Sequence, residues 1–250
     1  MKNKVLLLLV LASSIVISST SAQVQEPDSS KKMLPPVQRF YIGTGLDGAI
    51  FSSATIQEKQ AGTTINKTGT LRFSDIINFG FTFNYNFGRH FGIYTGIDLK
   101  NIGFIEKDAG ASIVKRRTYN LGVPLGIKIG NMVTAMPYIF LGGGVDAPFN
   151  YREKTFVIRD QKAKFSEWFS SRTPATMPYV FLGAGIFRGA TIKLQYYPGN
   201  FLNPSFTDKN GKTPYADYDV HLMLVSLGFP VQLSKHHDIV KQEATGIHVM

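Results

Sequence analysis

The chain has 250 residues, no cysteine and a formal net charge of +10, from 27 lysines and arginines against 17 aspartates and glutamates. The lack of cysteine excludes disulfides, cysteine-ligated metal sites and lipoprotein acylation within these residues. The basic residues form no stripe or helical cluster of the kind that binds nucleic acid, and their densest run is Lys115–Arg117. We therefore expect no nucleic acid partner, and anionic lipid headgroups or lipopolysaccharide phosphates are favoured over it. Ordinary solvated charge is favoured over both.

Residues 1–22 have the layout of a secretory signal peptide. A basic start, "MKNK", precedes the mostly apolar run Val5–Ile17, and the small residues of "STSAQ" offer a cleavage point after Ala22. The run is too short for a membrane-spanning helix, and an uncleaved anchor is the alternative. Residues 23–38, "QVQEPDSSKKMLPPVQ", have the composition of a mobile periplasmic linker.

The rest of the chain shows strand periodicity and almost no helical periodicity. No later stretch approaches the roughly 18 apolar residues that a membrane helix needs. Eight alternating segments cover about 40–51, 71–87, 91–105, 115–129, 136–150, 177–187, 190–199 and 217–233. Each is near or above the length of about nine to eleven residues with which a tilted strand crosses a bilayer. The candidates are therefore a large soluble β domain and a membrane β-barrel.

The connections between the segments alternate strictly in length. Links two–three, four–five and six–seven are short, whereas one–two, five–six and seven–eight are long and polar, and three–four is intermediate. Outer-membrane barrels alternate in the same way, with tight periplasmic turns and longer extracellular loops. This pattern predicts an all-β, eight-stranded antiparallel up-and-down transmembrane β-barrel over residues 39–233. Both termini, including a tail at 234–250, would then be periplasmic.

The fifth and sixth segments contain two copies of one internal repeat. "MPYIFLGGGV" begins at Met136 and "MPYVFLGAGI" begins at Met177. A duplicated hairpin would set both copies in the same direction, whereas the loop parity makes them adjacent antiparallel strands. Convergence on one strand pattern is favoured over duplication.

The two faces of each segment differ sharply in chemistry. The segment Asn78–Gly88, "NFGFTFNYNFG", places aromatic side chains on every second residue, and small or polar residues lie between them. Comparable bulky rows follow in the later segments without a charge until Arg117. Because a Lys or Arg facing lipid at mid-depth costs about 2–4 kcal/mol, this absence predicts that the bulky rows face lipid. The alternative is a soluble barrel that holds these rows inside.

The opposite rows are rich in glycine and carry a few charges. An eight-stranded barrel has an interior only just wide enough for side chains, so short residues fit there. The charges that could pair inside are Asp98, Lys100, Lys128, Asp146 and Lys193. In the eighth segment two rows could face lipid, and we take Met223, Val225, Leu227 and Phe229 over Val220, Leu222 and Leu224. Pro124 lacks a ladder donor, which predicts a bulge in the fourth segment.

Several stretches resemble the PorT-like family of small outer-membrane barrels from Bacteroidetes-type bacteria. They are "RRTYNLGVPLGIKIG" at 116–130 with the following "PYIFLGGGV", then "FLGAGIFRGATIKLQYYPG" and the closing "LVSLGFPVQL". The resemblance implies an eight-stranded outer-membrane barrel, and some relatives are accessory components of a protein secretion machinery. Many outer-membrane barrels end on an aromatic residue, whereas this chain continues with "SKHHDIVKQEATGIHVM". Any assembly signal would then be internal, near Phe229.

Few residues suggest chemistry. His221, with Asp217, Asp219 and Ser205 nearby in sequence, could form a relay of the hydrolase type, but alternation puts His221 on the lipid row. His236, His237 and Asp238 could contact a metal, and His90 lies in a turn. The long loop segment "FSEWFSS" at Phe165–Ser171 carries the only tryptophan, either as a binding surface or packed over the barrel mouth.

We therefore predict a non-enzymatic integral protein of the cell outer membrane, with no catalytic, cofactor-binding or metal-binding residues and no cofactor. It would be an accessory component of a secretion or assembly complex, bound to a periplasmic or secretion-machinery protein, or a surface-binding barrel. The alternative is an outer-membrane lipid-modifying hydrolase. A passive pore is disfavoured because eight strands leave no aqueous channel.

Overall fold

The computed structural model describes residues 36–44, 47–60, 62–74, 78–107, 112–133, 137–157, 161–186 and 190–233. The predicted signal peptide at 1–22, the linker up to residue 35 and the tail at 234–250 lie outside the described residues. Within them no helix has the length and apolar content to span a membrane. The strands are β1 (Phe40–Thr44), β2 (Ala49–Gln60), β3 (Thr63–Thr68), β4 (Arg72–Ser74), β5 (Phe79–Asn86), β6 (Phe91–Lys107), β7 (Ser112–Gly130), β8 (Tyr138–Val157), β9 (Gln161–Trp168), β10 (Met177–Gly185), β11 (Thr191–Tyr197), β12 (Tyr218–Gly228) and β13 (Val231–Gln232).

These strands form a single 13-stranded sheet with antiparallel pairing throughout. The order is β13-β1-β5-β6-β7-β8-β10-β11-β12-β2-β3, while β4 pairs with β2 and β9 with β8. Strands that follow one another along the chain are mostly neighbours in the sheet, as in an up-and-down meander. The prediction of an all-β antiparallel up-and-down sheet is confirmed.

The eight predicted segments correspond to this larger number of strands in a simple way. The first segment contains β1 and β2, the second β4 and β5, and the eighth β12 and β13, while the other five contain one strand each. The two remaining strands, β3 and β9, fold back as hairpins on β2 and β8. They lie in polar stretches that were predicted to be loops, so β2 and β8 extend well beyond the predicted ends.

The first segment has strand partners on both of its edges. β1 pairs with β5 through Phe40↔Tyr85 to Thr44↔Phe81 and also with β13. β2 pairs with β12 through Ala49↔Leu227 to Tyr218↔Glu58, and its other edge carries β3 and β4. The strands next to the two ends of the strand order, β1 and β2, therefore both come from this segment.

Side chains alternate between a buried inner face and an exposed outer face. On β5, Phe79, Phe81 and Phe83 are 53%, 48% and 40% exposed, whereas Thr82 and Asn84 are buried. The row predicted to face outward in the eighth segment does so, because Met223 and Leu227 are exposed. The alternative row of Val220, Leu222 and Leu224 is buried. The exposed outward row continues through Ile97, Leu121, Val123, Leu125, Ile129, Ile139, Leu141, Val145, Val180, Leu182, Ile186, Ile192, Leu194 and Tyr196.

The bulge predicted at Pro124 is wrong. Pro124 pairs in register with Gly144 on β8, and on the β6 side the pairing only pauses between Thr95↔Leu125 and Asp98↔Gly122. The missing N–H of Pro124 thus interrupts the pairing of β6 with β7 without shifting its register. The register shift lies instead at Tyr119/Asn120, opposite an extra residue of β8.

The two copies of the repeat pair with each other as predicted. β8 and β10 run antiparallel from Met177↔Asp146 to Gly185↔Tyr138, and Leu141 lies opposite Leu182. The inner residues of both copies are aromatic, which the prediction of a glycine-and-polar interior omitted. Phe140 and Phe181 are buried, and their rings lie over glycines of adjacent strands.

Candidate functional site

The inner face carries a cluster of buried, paired charges. The Lys100 ammonium lies 2.8 Å from Asp146 and 3.4 Å from Asp98 and has no exposed side-chain area. A second pair joins Lys193 to Asp47 at 2.5 Å, and the Tyr197 hydroxyl donates to Asp146 at 2.5 Å. The prediction that these charges pair inside is confirmed for Asp98, Lys100, Asp146 and Lys193, with Asp47 as an additional member, and it is wrong for Lys128.

Lys128 is not part of this cluster and is hydrogen-bonded to neutral groups. Its ammonium donates to the Tyr41 hydroxyl at 2.6 Å and to the Asn84 side-chain oxygen at 2.8 Å. Lys128 thus has hydrogen-bond partners but, among the residues that the structure describes, no carboxylate partner, whereas Lys100 and Lys193 are paired with carboxylates. Burying charges is costly unless each is paired or hydrogen-bonded, and these three ammonium groups all meet that condition.

Aromatic rings and glycines cover the rest of the inner face. A Cβ atom on Gly126 would lie 2.5 Å from the Tyr94 ring, and one on Gly183 would lie 2.2 Å from the ring of Phe140. Glycine is required at both places because the ring occupies the space of a side chain. The cavity beside Asp47 has a volume of only about 20 Å³, room for about one water molecule. This part of the inner face is therefore closely packed with side chains.

A second ion network lies nearer the long loops. Arg116 is buried and contacts Glu106, and its Nε lies 3.2 Å from Glu153. Lys67 on the β3 hairpin lies 2.8 Å from Glu58 and 3.8 Å from Glu106. The hydrogen bond from Lys67 lowers the pKa of the Glu58 carboxyl. This network ties the β2–β3 hairpin to β6, β7 and β8.

The loop between β11 and β12 covers the inner face at the same end. Phe201 and Leu202 are buried, and Phe201 packs edge-on against Phe104 at 5.5 Å. Asn200 fixes the loop, since its side chain donates to the backbone of Tyr218 at 2.7 Å and accepts from the Val220 N–H at 3.0 Å. The long loops therefore form a structured cap.

Arg172 joins this cap to the β9 hairpin. Its guanidinium lies 4.6 Å from the Phe165 ring and 4.5 Å from the Phe206 ring, and it donates to the Tyr215 hydroxyl at 3.0 Å. Such stacking uses the planar, always-charged guanidinium. Phe165 of the predicted loop therefore packs over the mouth.

Tyr119, Phe149, Trp168 and Phe169 form an outward group of aromatic side chains, called the aromatic ledge below. Trp168 stacks on Phe149, the extra residue of β8, with ring centroids 5.8 Å apart, and Tyr119 lies 6.4 Å from Phe149. Trp168 is 64% and Phe169 is 82% exposed. The interpretation of the "FSEWFSS" loop as a binding surface stays a prediction, for which Trp168 and Phe169 are the exposed residues.

An open groove lies beside the aromatic ledge. It has a volume of about 710 Å³, and its lining includes Leu121, Ala147, Pro148, Phe149 and Phe169. Phe169 has a positive φ of 49°, which is unfavourable for a bulky residue, and its N–H donates to the Phe149 carbonyl at 2.9 Å. The backbone thus holds an apolar ring outward at the groove.

The possible hydrolase residues do not assemble into a relay among the described residues. His221 Nε2 lies 3.2 Å from Asp219, on the outer face as predicted. Its Nδ1 has no hydrogen-bond partner there, and the Ser205 backbone N–H donates to Asn203. A histidine–carboxylate pair is present, but no hydroxyl nucleophile contacts it.

His90 is exposed, and its carbonyl accepts from the Gly130 N–H at 3.0 Å. His236, His237 and Asp238 lie outside the described residues. Within the described ranges, no group of three or more possible metal-ligating side chains is found.

Comparisons with known proteins find only distant likenesses. No protein-family model and no curated protein matches the chain. One similar solved structure is that of Ail, the attachment invasion locus protein of Yersinia pestis, in complex with the heparin analogue sucrose octasulfate. It has 13% sequence identity and a TM-score of 0.38, and the match covers 76% of this chain and 99% of Ail. CarO2 of Acinetobacter baumannii matches at 11% and 0.34, covering 74% and 99%. The Escherichia coli outer membrane protease OmpT matches at 8% and 0.23, covering 77% and 96%. Likenesses at these TM-scores identify no family and assign no function to this chain.

Proposed function

We propose that this chain is an integral outer-membrane β-barrel with a plugged lumen, whose structured loops form a binding surface outside the cell. The observation that carries this proposal is the inversion of its two faces. Exposed Phe, Leu, Ile and Val cover the outside of the strands, while Lys100, Asp146 and other charges are buried inside. In water this arrangement would expose far more contiguous apolar surface than a soluble monomer tolerates.

The strand pairing supports a barrel of eight strands. Because β1 and β2 have partners on both edges, the meander can close on its first segment and leave no free edge there. Closure is the form that a membrane requires, since lipid cannot satisfy unpaired backbone groups. Counting β3 and β9 as loop hairpins leaves the eight predicted segments as the barrel.

The ends of the strands support an orientation. The short connection Phe87–His90 and the residues Asn131–Val133 lie at one end, and the hairpins, ion network and cap lie at the other. Outer-membrane barrels place short turns in the periplasm and long loops outside. The structured end would then be extracellular, which favours a surface-binding role without catalysis.

A cell fractionation experiment tests the membrane assignment. The chain should remain in the outer-membrane fraction after a high-salt wash, and its mobility on detergent gels should change on boiling, as for a folded barrel. A chain recovered folded in the soluble fraction without detergent would refute the proposal.

Cysteine labelling tests the orientation, because the chain has no native cysteine. A membrane-impermeant maleimide should label Lys209→Cys on intact cells, whereas Arg89→Cys should react only after the outer membrane is opened. The reverse pattern would place the long loops in the periplasm and contradict the surface-binding role.

The PorT-like resemblance adds a narrower form of the proposal, an accessory role in protein secretion or assembly. The predicted periplasmic tail at 234–250 would then bind a component of the machinery. Crosslinking in intact cells should capture a periplasmic partner with the full chain and lose it when residues 234–250 are deleted. Equal capture by both forms would remove the tail from the interaction.

The lipid-modifying hydrolase is a second candidate because His221 and Asp219 form a hydrogen-bonded pair. Replacement of His221 by alanine should leave lipid A composition unchanged if the barrel is not an enzyme. A change in lipid A acylation that appears with the wild type and is lost in His221→Ala would favour the hydrolase.

A further inference from the structure

The outer face of β7, β8 and β9 carries positive side chains directly opposite one another. Arg117 lies opposite Arg152, and Lys115 lies opposite Lys154, which in turn lies opposite Lys164. Directly opposed side chains have Cβ atoms about 5 Å apart, and like charges in these positions destabilise a sheet. An anion bound between Arg117 and Arg152 would relieve this repulsion.

The carboxylates of the same strands point elsewhere. Glu153 contacts the inward Arg116 at 3.2 Å, and Glu167 contacts Arg172 at 3.4 Å. Within the described part of the chain, no carboxylate lies within ion-pair distance of Arg117 or Arg152. Their charge is thus available to a ligand.

Both arginines are held over the aromatic ledge. The guanidinium groups of Arg117 and Arg152 lie 5.6 Å and 5.2 Å from the centre of the Tyr119 ring. Arg152 is oriented further by a hydrogen bond of 3.1 Å from its Nε to the Asn150 side-chain oxygen. Two guanidinium groups fixed beside one ring can bind one phosphate with several charge-assisted hydrogen bonds.

Directly next to this basic pair lie the apolar outer row and the groove. Leu121 follows Tyr119 on the outward row of β7 and lines the groove together with Phe149 and Phe169. A ligand that binds here would have phosphate at one end and hydrocarbon at the other. In the proposed orientation the phosphate end lies at the outer-leaflet surface and the groove lies level with the acyl chains.

We propose that Arg117 and Arg152, with the adjacent groove, form a specific binding site for a phosphorylated glycolipid of the outer leaflet, namely lipid A. This inference rests on the proposed outer-membrane location. The phosphate binds the paired guanidinium groups, and one acyl chain lies along Leu121, Phe149 and Phe169. The hydrogen bond from the Phe169 N–H to the Phe149 carbonyl holds the unfavourable φ of Phe169 and leaves its ring in the lining of the groove.

The only tryptophan of the chain, Trp168, stacks on Phe149 of the groove and so reports on binding by its fluorescence. The full chain, folded in an uncharged maltoside detergent, is titrated with diphosphoryl lipid A, with phosphatidylcholine and with inorganic phosphate. We expect a saturable change with diphosphoryl lipid A only. Saturation by inorganic phosphate would reveal a simple anion site, and saturation by phosphatidylcholine an unspecific apolar groove; either result would overturn the proposal.

Two double variants test the residues. Arg117→Gln with Arg152→Gln should weaken lipid A binding at least tenfold, whereas Lys209→Gln with Lys212→Gln, the same charge change on an exposed loop, should stay within twofold of the wild type. Phe169→Gly should weaken binding of lipid A several-fold without loss of folding. Wild-type affinity in the arginine variant, or an equal loss in the lysine variant, would refute the site.

Folding of every variant is checked by the mobility change on boiling. A barrel that folds in detergent and sorts to the outer membrane but does not bind lipid A would refute this site alone. A chain that folds in buffer without detergent would instead refute the proposed function.

Discussion

Lys100→Met should destabilise the folded barrel strongly, because it removes a buried cation from between two carboxylates. The Lys100 ammonium lies 2.8 Å from Asp146 and 3.4 Å from Asp98. At an effective dielectric constant of about 20, each such contact is worth about 5–6 kcal/mol before the cost of desolvation. Removing one member of a buried pair typically costs about 3–5 kcal/mol, and we expect a loss in that range.

Lys128→Met is the matched control for this experiment. Among the described residues its ammonium donates to the neutral oxygens of Tyr41 and Asn84 and pairs with no carboxylate. Its loss should therefore cost about 1–3 kcal/mol. The free energy of unfolding is measured by urea titration in detergent micelles. Adding Asp146→Asn to Lys100→Met should recover about 2 kcal/mol relative to the sum of the single losses. A cost for Lys100→Met no larger than that of Lys128→Met would refute the buried charge cluster.

Two further predictions concern packing and pH. Gly126→Ala should lower the free energy of unfolding by about 1–3 kcal/mol, because the new methyl group meets the buried Tyr94 ring. Gly199→Ala is the control and should be nearly neutral, since open space surrounds that position. Equal effects of the two substitutions on the free energy of unfolding would contradict the packed lumen. The Lys67 hydrogen bond that lowers the pKa of Glu58 contributes stability at neutral pH that is lost as the pH falls through that lowered pKa. Glu58→Gln should therefore flatten the loss of stability below about pH 4.3, the ordinary glutamate pKa, and an unchanged acid profile would contradict the contact.

The outward and inward rows could be predicted from sequence because alternation alone determines them. Phe79, Phe81 and Phe83 stand on every second residue of an extended strand, so they share one face whatever the register. The pairing of β8 with β10 followed from loop parity. The buried pairing of Lys100 and Asp146 followed from their place on the glycine-rich rows.

Other features depend on contacts that alternation does not encode. The β3 and β9 hairpins are polar, and they are strands because β2 and β8 continue beside them. The inward Phe140 and Phe181 were hidden because both faces of the repeat are apolar. The ladder pauses at Pro124 and remains in register, and the extra residue Phe149 has no signature in a single sequence.

The pairing of Arg117 with Arg152 likewise could not be predicted from alternation. "KRR" at Lys115–Arg117 is visible as a short run, but alternation sends Arg116 inward to Glu106 and Glu153 and leaves Arg117 outward. Its partner Arg152 is 35 positions away in sequence and meets it only through the register of β7 with β8. The pairing with Arg152 required the structure.

The central claim, that the bulky rows face hydrocarbon, is tested most directly by spin labels on single cysteines in lipid bilayers. Labels at Leu125→Cys and Leu194→Cys should collide often with oxygen and rarely with a water-soluble nickel chelate, while a label at Lys115→Cys should show the opposite preference. Frequent collisions of the nickel chelate with the labels at positions 125 and 194 would mean that these rows face water, and the barrel described here would not span the membrane.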